Sequence, residues 1–213
     1  MLSPQCRLLA VEINSCFGKD QFMKLELLTD RLRLTPLVDA DIDISIALWS
    51  DPEVVKFICE AATEDELRAE MPDSTKRGGN GCIGVWCIAD QMSGEKIGSA
   101  YILPMPVEED DVDYSLVVPG QIPDGDIEVG YFLKPSVWGR GYATEVCERL
   151  LEFAFQDSPL TELVASVNEK NVASRNVLEK SGFVASGRAQ CWGEDSPIYR
   201  LTRDEWSKLQ APD

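Results

Sequence analysis

The chain has 213 residues, 44% of them hydrophobic, which suffices for one domain with a large core. Its 20 Lys and Arg stand against 37 Asp and Glu, a formal net charge of −17, which argues against nucleic acid as the partner and favours cationic ones. Histidine is absent, which excludes a Ser-His-Asp or Cys-His relay, a His-containing zinc site and an imidazole base, so acid-base work falls to carboxylates, Tyr, Lys, Ser or water.

The charge is unevenly spread. From Lys134 to Arg188 seven basic residues balance seven acidic ones, so the rest of the chain carries all the net negative charge. A polyanionic ligand meets least repulsion in that neutral segment, although chance also produces such an asymmetry. The seven cysteines, an odd number with no Cys-x-x-Cys, read as reduced thiols of a cytosolic protein. No stretch approaches the roughly 18 apolar residues of a membrane span, so no membrane partner is expected.

In chain order, residues 1–22 lack a clear period and read as a weakly ordered extension, with one domain over 23–213. Leu25 to Leu34 alternates as a first strand that Pro36 ends. Asp39 or Asp41 is placed to cap a helix to about Ser50, with Ile42, Ile46 and Trp49 or Ala47 on one face. Pro52 to Ile58 reads as a short second helix, and Thr63 with Glu66 is a capping box opening a third to about Met71. Cys82 to Ala89 and Lys96 to Leu103, turned through Gly94, form a hairpin. From Pro104 to Gly125 proline and acid replace periodicity, and Glu108 to Asp113 reads as a solvated connector sooner than a cation-attracting rim.

Ile127 to Gln156 is the most informative stretch. Ile127, Val129, Tyr131 and Leu133 alternate as a half-buried strand that stops before Pro135. Ala143, Val146, Cys147, Leu150, Leu151, Ala154 and Phe155 then recur at three- and four-residue spacing, one face of a helix opening just after Gly139 and Gly141. The first turn of a helix leaves amides unpaired and positive, a ready seat for phosphate. The two glycines admit a ligand to those amides and allow positive φ, and Arg140 adds a charge; the alternative is an ordinary strand-turn-helix. Gly-Lys-Ser/Thr is missing at the helix start, which excludes a P-loop, and no second βαβ unit completes a dinucleotide fingerprint.

Beyond it, Leu163 to Val167 is a compact apolar strand, and Asn168 to Asn171 leads into a helix over Val172 to Lys180 that Ser181-Gly182 ends. Phe183 to Ser186 and Ile198 to Leu201 read as a closing pair of strands. Thr202 with Glu205 boxes a last helix around Trp206 and Leu209.

Together, the strand Glu128 to Leu133, the loop Trp138-Gly139-Arg140-Gly141-Tyr142-Ala143-Thr144-Glu145 and the late Asn168, Asn171, Ser174 and Gly182-Phe183 resemble the GNAT acetyltransferase superfamily. The likeness spans about Met23 to Leu209 and is nearest the branch that includes the ribosomal-protein N-terminal acetyltransferases. It implies an α/β domain with a mixed, mostly antiparallel sheet, a V-shaped splay between the fourth and fifth core strands, and helices on both faces. It implies acetyl-CoA as co-substrate and no metal, with the pyrophosphate on the amides of Arg140, Gly141, Tyr142, Ala143 and Thr144 after Trp138 and Gly139. Pantetheine would lie in the splay against backbone near Phe132 and Leu133, where an amide polarises the thioester carbonyl. Asn171 would hold the pantetheine arm, a role compatible with capping its helix.

The implied chemistry is direct attack of an amine on the thioester. Glu128 is the candidate base, through water, its alternative being an outward-facing strand carboxylate. The superfamily's usual thiolate acid, a Tyr, falls at Leu178, so Ser174 is the candidate to assist there, and Glu194 is a weaker candidate base. A lysine gives up its proton near pH 10.4 and an α-amine near 7.7 to 8.0, a difference of about 3 kcal/mol that favours a protein N-terminal α-amine as acceptor. Polyamines or aminoglycosides are the same-class alternative, and a non-catalytic acyl-CoA-binding module the other. The acceptor pocket is expected from Asp51 to Ala62, Trp86 and the 104–125 loop, in a monomer or homodimer.

Overall fold

Thr29 ends the first alternating run early. Its main-chain N–H donates to Leu32 O at 2.9 Å and its hydroxyl accepts from Leu32 N at 2.8 Å, a turn that folds the chain back on itself. In the computed structural model, which describes residues 23–108 and 111–211, the single strand expected over Leu25 to Leu34 is therefore a hairpin of β1 (Leu27–Leu28) and β2 (Leu32–Pro36). The extension expected at 1–22 lies outside the described residues.

A 3₁₀ turn at Asp39–Asp41 precedes α1 (Ile42–Trp49), and the Asp41 carboxylate accepts from Val38 N at 3.1 Å. The buried face of α1 is Ile44 and Leu48, four residues apart, which pack with Leu37, Met71 and Cys87, whereas Ile42 and Ile46, expected on that face, are half-buried. α2 (Pro52–Val55) stops short of Ile58. α3 (Glu64–Ser74) opens on the Thr63–Glu66 capping box and runs past Met71 through Pro72, whose fixed φ is helical.

Six more strands follow: β3 (Gly84–Asp90), β4 (Lys96–Pro104), β5 (Ile127–Leu133), β6 (Glu162–Ser166), β7 (Val184–Cys191) and β8 (Glu194–Thr202). The sheet order is β1-β2-β3-β4-β5-β6-β8-β7, antiparallel except for the β5–β6 pair. The closing strands are longer than expected and joined by a tight turn at Trp192-Gly193, both at positive φ. Between β4 and β5 the connector is not simply solvated, since Val112 and Val117 are buried against the core beside a 3₁₀ turn at Tyr114–Leu116. Glu109 and Asp110 of the expected acidic run lie outside the described residues.

α4 (Tyr142–Glu152) buries Val146, Cys147, Leu150 and Leu151 and continues as a π turn at Phe153–Asp157. α5 (Val172–Lys180) and α6 (Arg203–Leu209) complete the chain, the latter on the Thr202–Glu205 capping box with Trp206 against Phe155. Alternation along β3 shows that helices cover both faces. Trp86 and Ile88 join the core under α4, whereas Cys87 packs with Leu37, Ile44, Leu48 and Met71 under α1 and α3. β5 divides likewise, with Val129 and Leu133 on the α4 side and Phe132 on the α1 side.

Candidate active site

β5 and β6 touch at one register position, Glu128 opposite Val164, and then part. A side chain takes the place of the next ladder bond. In a continued ladder Ser166 N would point at β5, but it donates instead to Glu128 Oε1 at 2.9 Å, and Ser166 Oγ donates to the same oxygen at 2.6 Å. The splay expected between the fourth and fifth strands thus lies between β5 and β6, the earlier strand having split in two. Lys134 N donates to Ile97 O, so by strand alternation the main chain of Phe132 faces β4, while that of Tyr131 and Leu133 faces the gap. The Phe132 main chain is therefore turned away from the gap it was expected to face, and its ring faces Trp49 at 4.6 Å and Tyr101 at 6.1 Å.

At the end of β5 the chain turns through Pro135–Val137 into the glycine loop. Trp138 Nε1 donates to Leu133 O at 2.7 Å, which fixes the strand end. Gly139 and Gly141 stand at φ +73° and +78°, the left-handed region the loop requires and other residues avoid. Among the described residues, none of the amides from Gly139 to Thr144 has an acceptor. A Cβ at Gly139 would meet nothing within 4 Å. Gly139, Gly141, Tyr142, Ala143 and Thr144 line a cavity of about 1120 Å³ together with Phe132, Leu133 and Trp138. Arg140 does not line it; its side chain is exposed and its carbonyl accepts from Arg31 Nη1 at 2.9 Å.

Glu128 is 2% exposed. It does not line the cavity but lies directly beneath three residues that do, Tyr101, Ser166 and Trp192. Tyr101 Oη and Trp192 Nε1 each donate to Oε2 at 3.1 Å, so with Ser166 the carboxylate takes four hydrogen bonds. Burial nonetheless outweighs them and holds its pKa above the usual glutamate value. The outward-facing alternative is thereby removed. Glu194, at the start of β8, is an exposed residue of the rim.

Ser174 lines the cavity from α5, and its Oγ lies 3.3 Å from Tyr131 Oη. Burial raises the Tyr131 pKa, which keeps its phenol protonated. Asn171 Oδ1 accepts from Ser174 N at 3.1 Å, the capping role expected of it, and the residue also lines the cavity. Leu178 is buried among the lining residues. Of the expected acceptor pocket, Glu53, Val54, Lys56 to Cys59, Ala62 and the loop from Asp111 to Ser115 line the cavity, joined by Leu67, Glu70 and Met71 of α3. Trp86 does not: it is fully buried, its Nε1 donating to Leu25 O and its ring against Phe153. An aromatic in an apolar strand reads alike as core or cavity, and only packing separates the two. Tyr101, Ser166 and Trp192, distant in sequence from Glu128, carried no signal of their role.

The sequence profile of the acetyltransferase (GNAT) domain matches residues 31–184. The chain is 27% identical to the uncharacterized protein YkkB of Bacillus subtilis over 83% of this chain and 95% of that one. It is 28% identical to the FsC-acetyl coenzyme A-N(2)-transacetylase of Aspergillus fumigatus over 86% of this chain and 79% of that one. The fold superposes on the aminoglycoside acetyltransferase AAC(6')-Ib in complex with coenzyme A with a TM-score of 0.64 at 17% identity, covering 84% of this chain and 99% of that one. With the profile spanning most of the described domain, a splayed β5–β6 pair and an open amide loop, this chain belongs to the GNAT acetyltransferases and is an acetyl-CoA-dependent N-acetyltransferase.

Proposed function

We propose that the chain transfers acetyl directly to a primary amine, with a protein N-terminal α-amine as favoured acceptor, and that the cavity is shared between carrier and acceptor across β5. The observation that supports this most is the convergence on one cavity of the acceptorless amides Gly139 to Thr144 and the parted end of β5. The amides and the helix N-terminus suit a diphosphate. The Tyr131 and Leu133 main chain suits an extended arm laid in the gap like a strand, and an amide there suits the thioester oxygen.

The two proton tasks fall on opposite faces of β5, because Glu128 and Tyr131 are an odd number of residues apart. On the α1 and α3 face, the attacking amine gives its proton to Ser166 Oγ as the Ser166 hydroxyl proton passes to Glu128; the raised Glu128 pKa suits this acceptance. On the other face, as the C–S bond breaks, Ser174 Oγ protonates the sulfur and Tyr131 resupplies Ser174. The cycle closes when Glu128 releases its proton to solvent through Ser166 and Tyr131 regains one from solvent through Ser174, both of which line the cavity, so that the proton taken from nitrogen equals the proton given to sulfur. With no histidine to lower an amine's protonation, an α-amine near pKa 8 needs about 3 kcal/mol less than a lysine near 10.4.

Small polyvalent amines are the second reading, supported by the carboxylates of Glu70, Asp73 and Asp111 on the cavity wall. Thiol release measured on N-terminal peptides, free lysine, polyamines and aminoglycosides tests both. Highest kcat/KM on peptides with a free α-amine is the expected result. Preference for polyamines would replace the first reading by the second, and tight CoA binding without turnover on any of these amines would overturn both readings of the acceptor.

A further inference from the structure

We propose that Arg31 is a positioning residue for acetyl-CoA, which cancels the charge of Glu145 behind the Gly139–Thr144 loop and turns that loop toward the diphosphate. The inference rests on the carrier reading of that loop given above. Glu145 is an anion in the first turn of α4, the same helix end that offers its amides to a diphosphate. Left uncompensated it would repel the ligand the helix attracts. It is not left so: the Arg31 guanidinium pairs with it, Arg31 Nε donates to Oε2 at 2.6 Å, Arg31 N to Oε1 at 3.1 Å, and the Thr29 hydroxyl also donates to Oε1. Burial pushes the Glu145 pKa up, but these donors outweigh it and hold it below the usual glutamate value, so the carboxylate is charged at neutral pH.

Arg31 does a second thing. Its Nη1 holds the Arg140 carbonyl at 2.9 Å, and its guanidinium lies 4.3 Å over the Tyr142 ring. In a trans peptide C=O and N–H point oppositely, so tying the Arg140 oxygen to Arg31 aims the Gly141 N–H away from Arg31. Neither Arg31 nor Glu145 lines the cavity. The turn between β1 and β2 thereby acts on a loop 109 residues downstream.

The test is CoA affinity by calorimetry in Arg31→Ala, Arg31→Gln, Glu145→Gln and the Arg31→Ala/Glu145→Gln double variant, each checked for folding by its melt. Arg31→Ala and Arg31→Gln should weaken CoA about tenfold, within the range for neighbours in one network. The double variant should recover the part of that loss owed to the stranded carboxylate and retain the part owed to the missing Arg140 tie. Turnover of S-acetylpantetheine, which lacks the diphosphate, should show no matching rise in KM. A double variant as weak as Arg31→Ala, or an equal defect on S-acetylpantetheine, overturns the proposal. Gly141→Val reports on the loop itself: wild-type CoA affinity in that variant would remove the carrier reading, whereas its loss alongside an unaffected Arg31→Ala would remove the Arg31 proposal alone.

Discussion

Glu128 illustrates how one residue can serve the fold and, in the proposed reaction, the chemistry. Its side chain takes the Ser166 amide that would have extended the β5–β6 ladder, and it remains the buried acid under the acceptor side of the cavity. Because burial raises its folded pKa above 4.5, the folded protein binds this proton more tightly than the unfolded chain. Stability from this group is thus present below about pH 4.5 and lost as pH rises through the folded value, while activity rises over the same interval as the base ionises. Glu128→Gln should flatten that descent in urea titrations across pH, and lower kcat by roughly 10²- to 10⁴-fold with loss of the acidic limb. Turnover equal to the wild type would end the assignment. For the thiolate, Ser174→Ala should reduce kcat by about 10²-fold with little change in amine KM, since the group acts after the acceptor has bound.

At the scale of elements, β5 works because it leaves one position empty. A Cβ on Gly130 would stand 2.2 Å from the Tyr101 ring, which lies across that gap to reach Glu128. Gly130→Ala should therefore cost about 1 to 3 kcal/mol in chemical denaturation, through overpacking and displacement of the phenol. It should also reduce kcat in step with the broken Tyr101 contact; a variant as stable and active as the wild type would show that Tyr101 has room to move. The α6 helix depends on its first turn, where Thr202 and Glu205 satisfy each other's amides. Thr202→Ala should lower stability by about 1 kcal/mol without altering acetyl-CoA affinity, read from paired melts and titrations.

For the whole molecule, charge sets how substrates arrive. A formal charge of −17 repels CoA from most directions, while the attractive amides act only at close range. Salt screens distant charges first, with a Debye length of about 10 Å at 0.1 M. Raising ionic strength from about 10 to 150 mM should thus speed CoA association in stopped-flow and slow that of a cationic acceptor. A CoA on-rate that falls with salt would mean that local attraction dominates the field.

How much of this was legible in the chain itself follows from the range of each interaction. The strand-loop-helix from Ile127 to Gln156, the capping boxes at Thr63 and Thr202 and the cap at Asn171 are made by residues within a few positions of one another, so periodicity and spacing determined them, whereas the family and its co-substrate came from the likeness of those motifs to the GNAT acetyltransferases. The missing histidine was decisive in the same direct way. Only the tertiary structure decided that Trp86 is core, that Glu128 is held by Tyr101, Ser166 and Trp192, that Tyr131 stands beside Ser174, and that Arg31 meets Glu145 across 114 residues. A single sequence records residue types along one dimension. Which strands adjoin, and so which distant side chains share a hydrogen bond, is set by sheet order and burial.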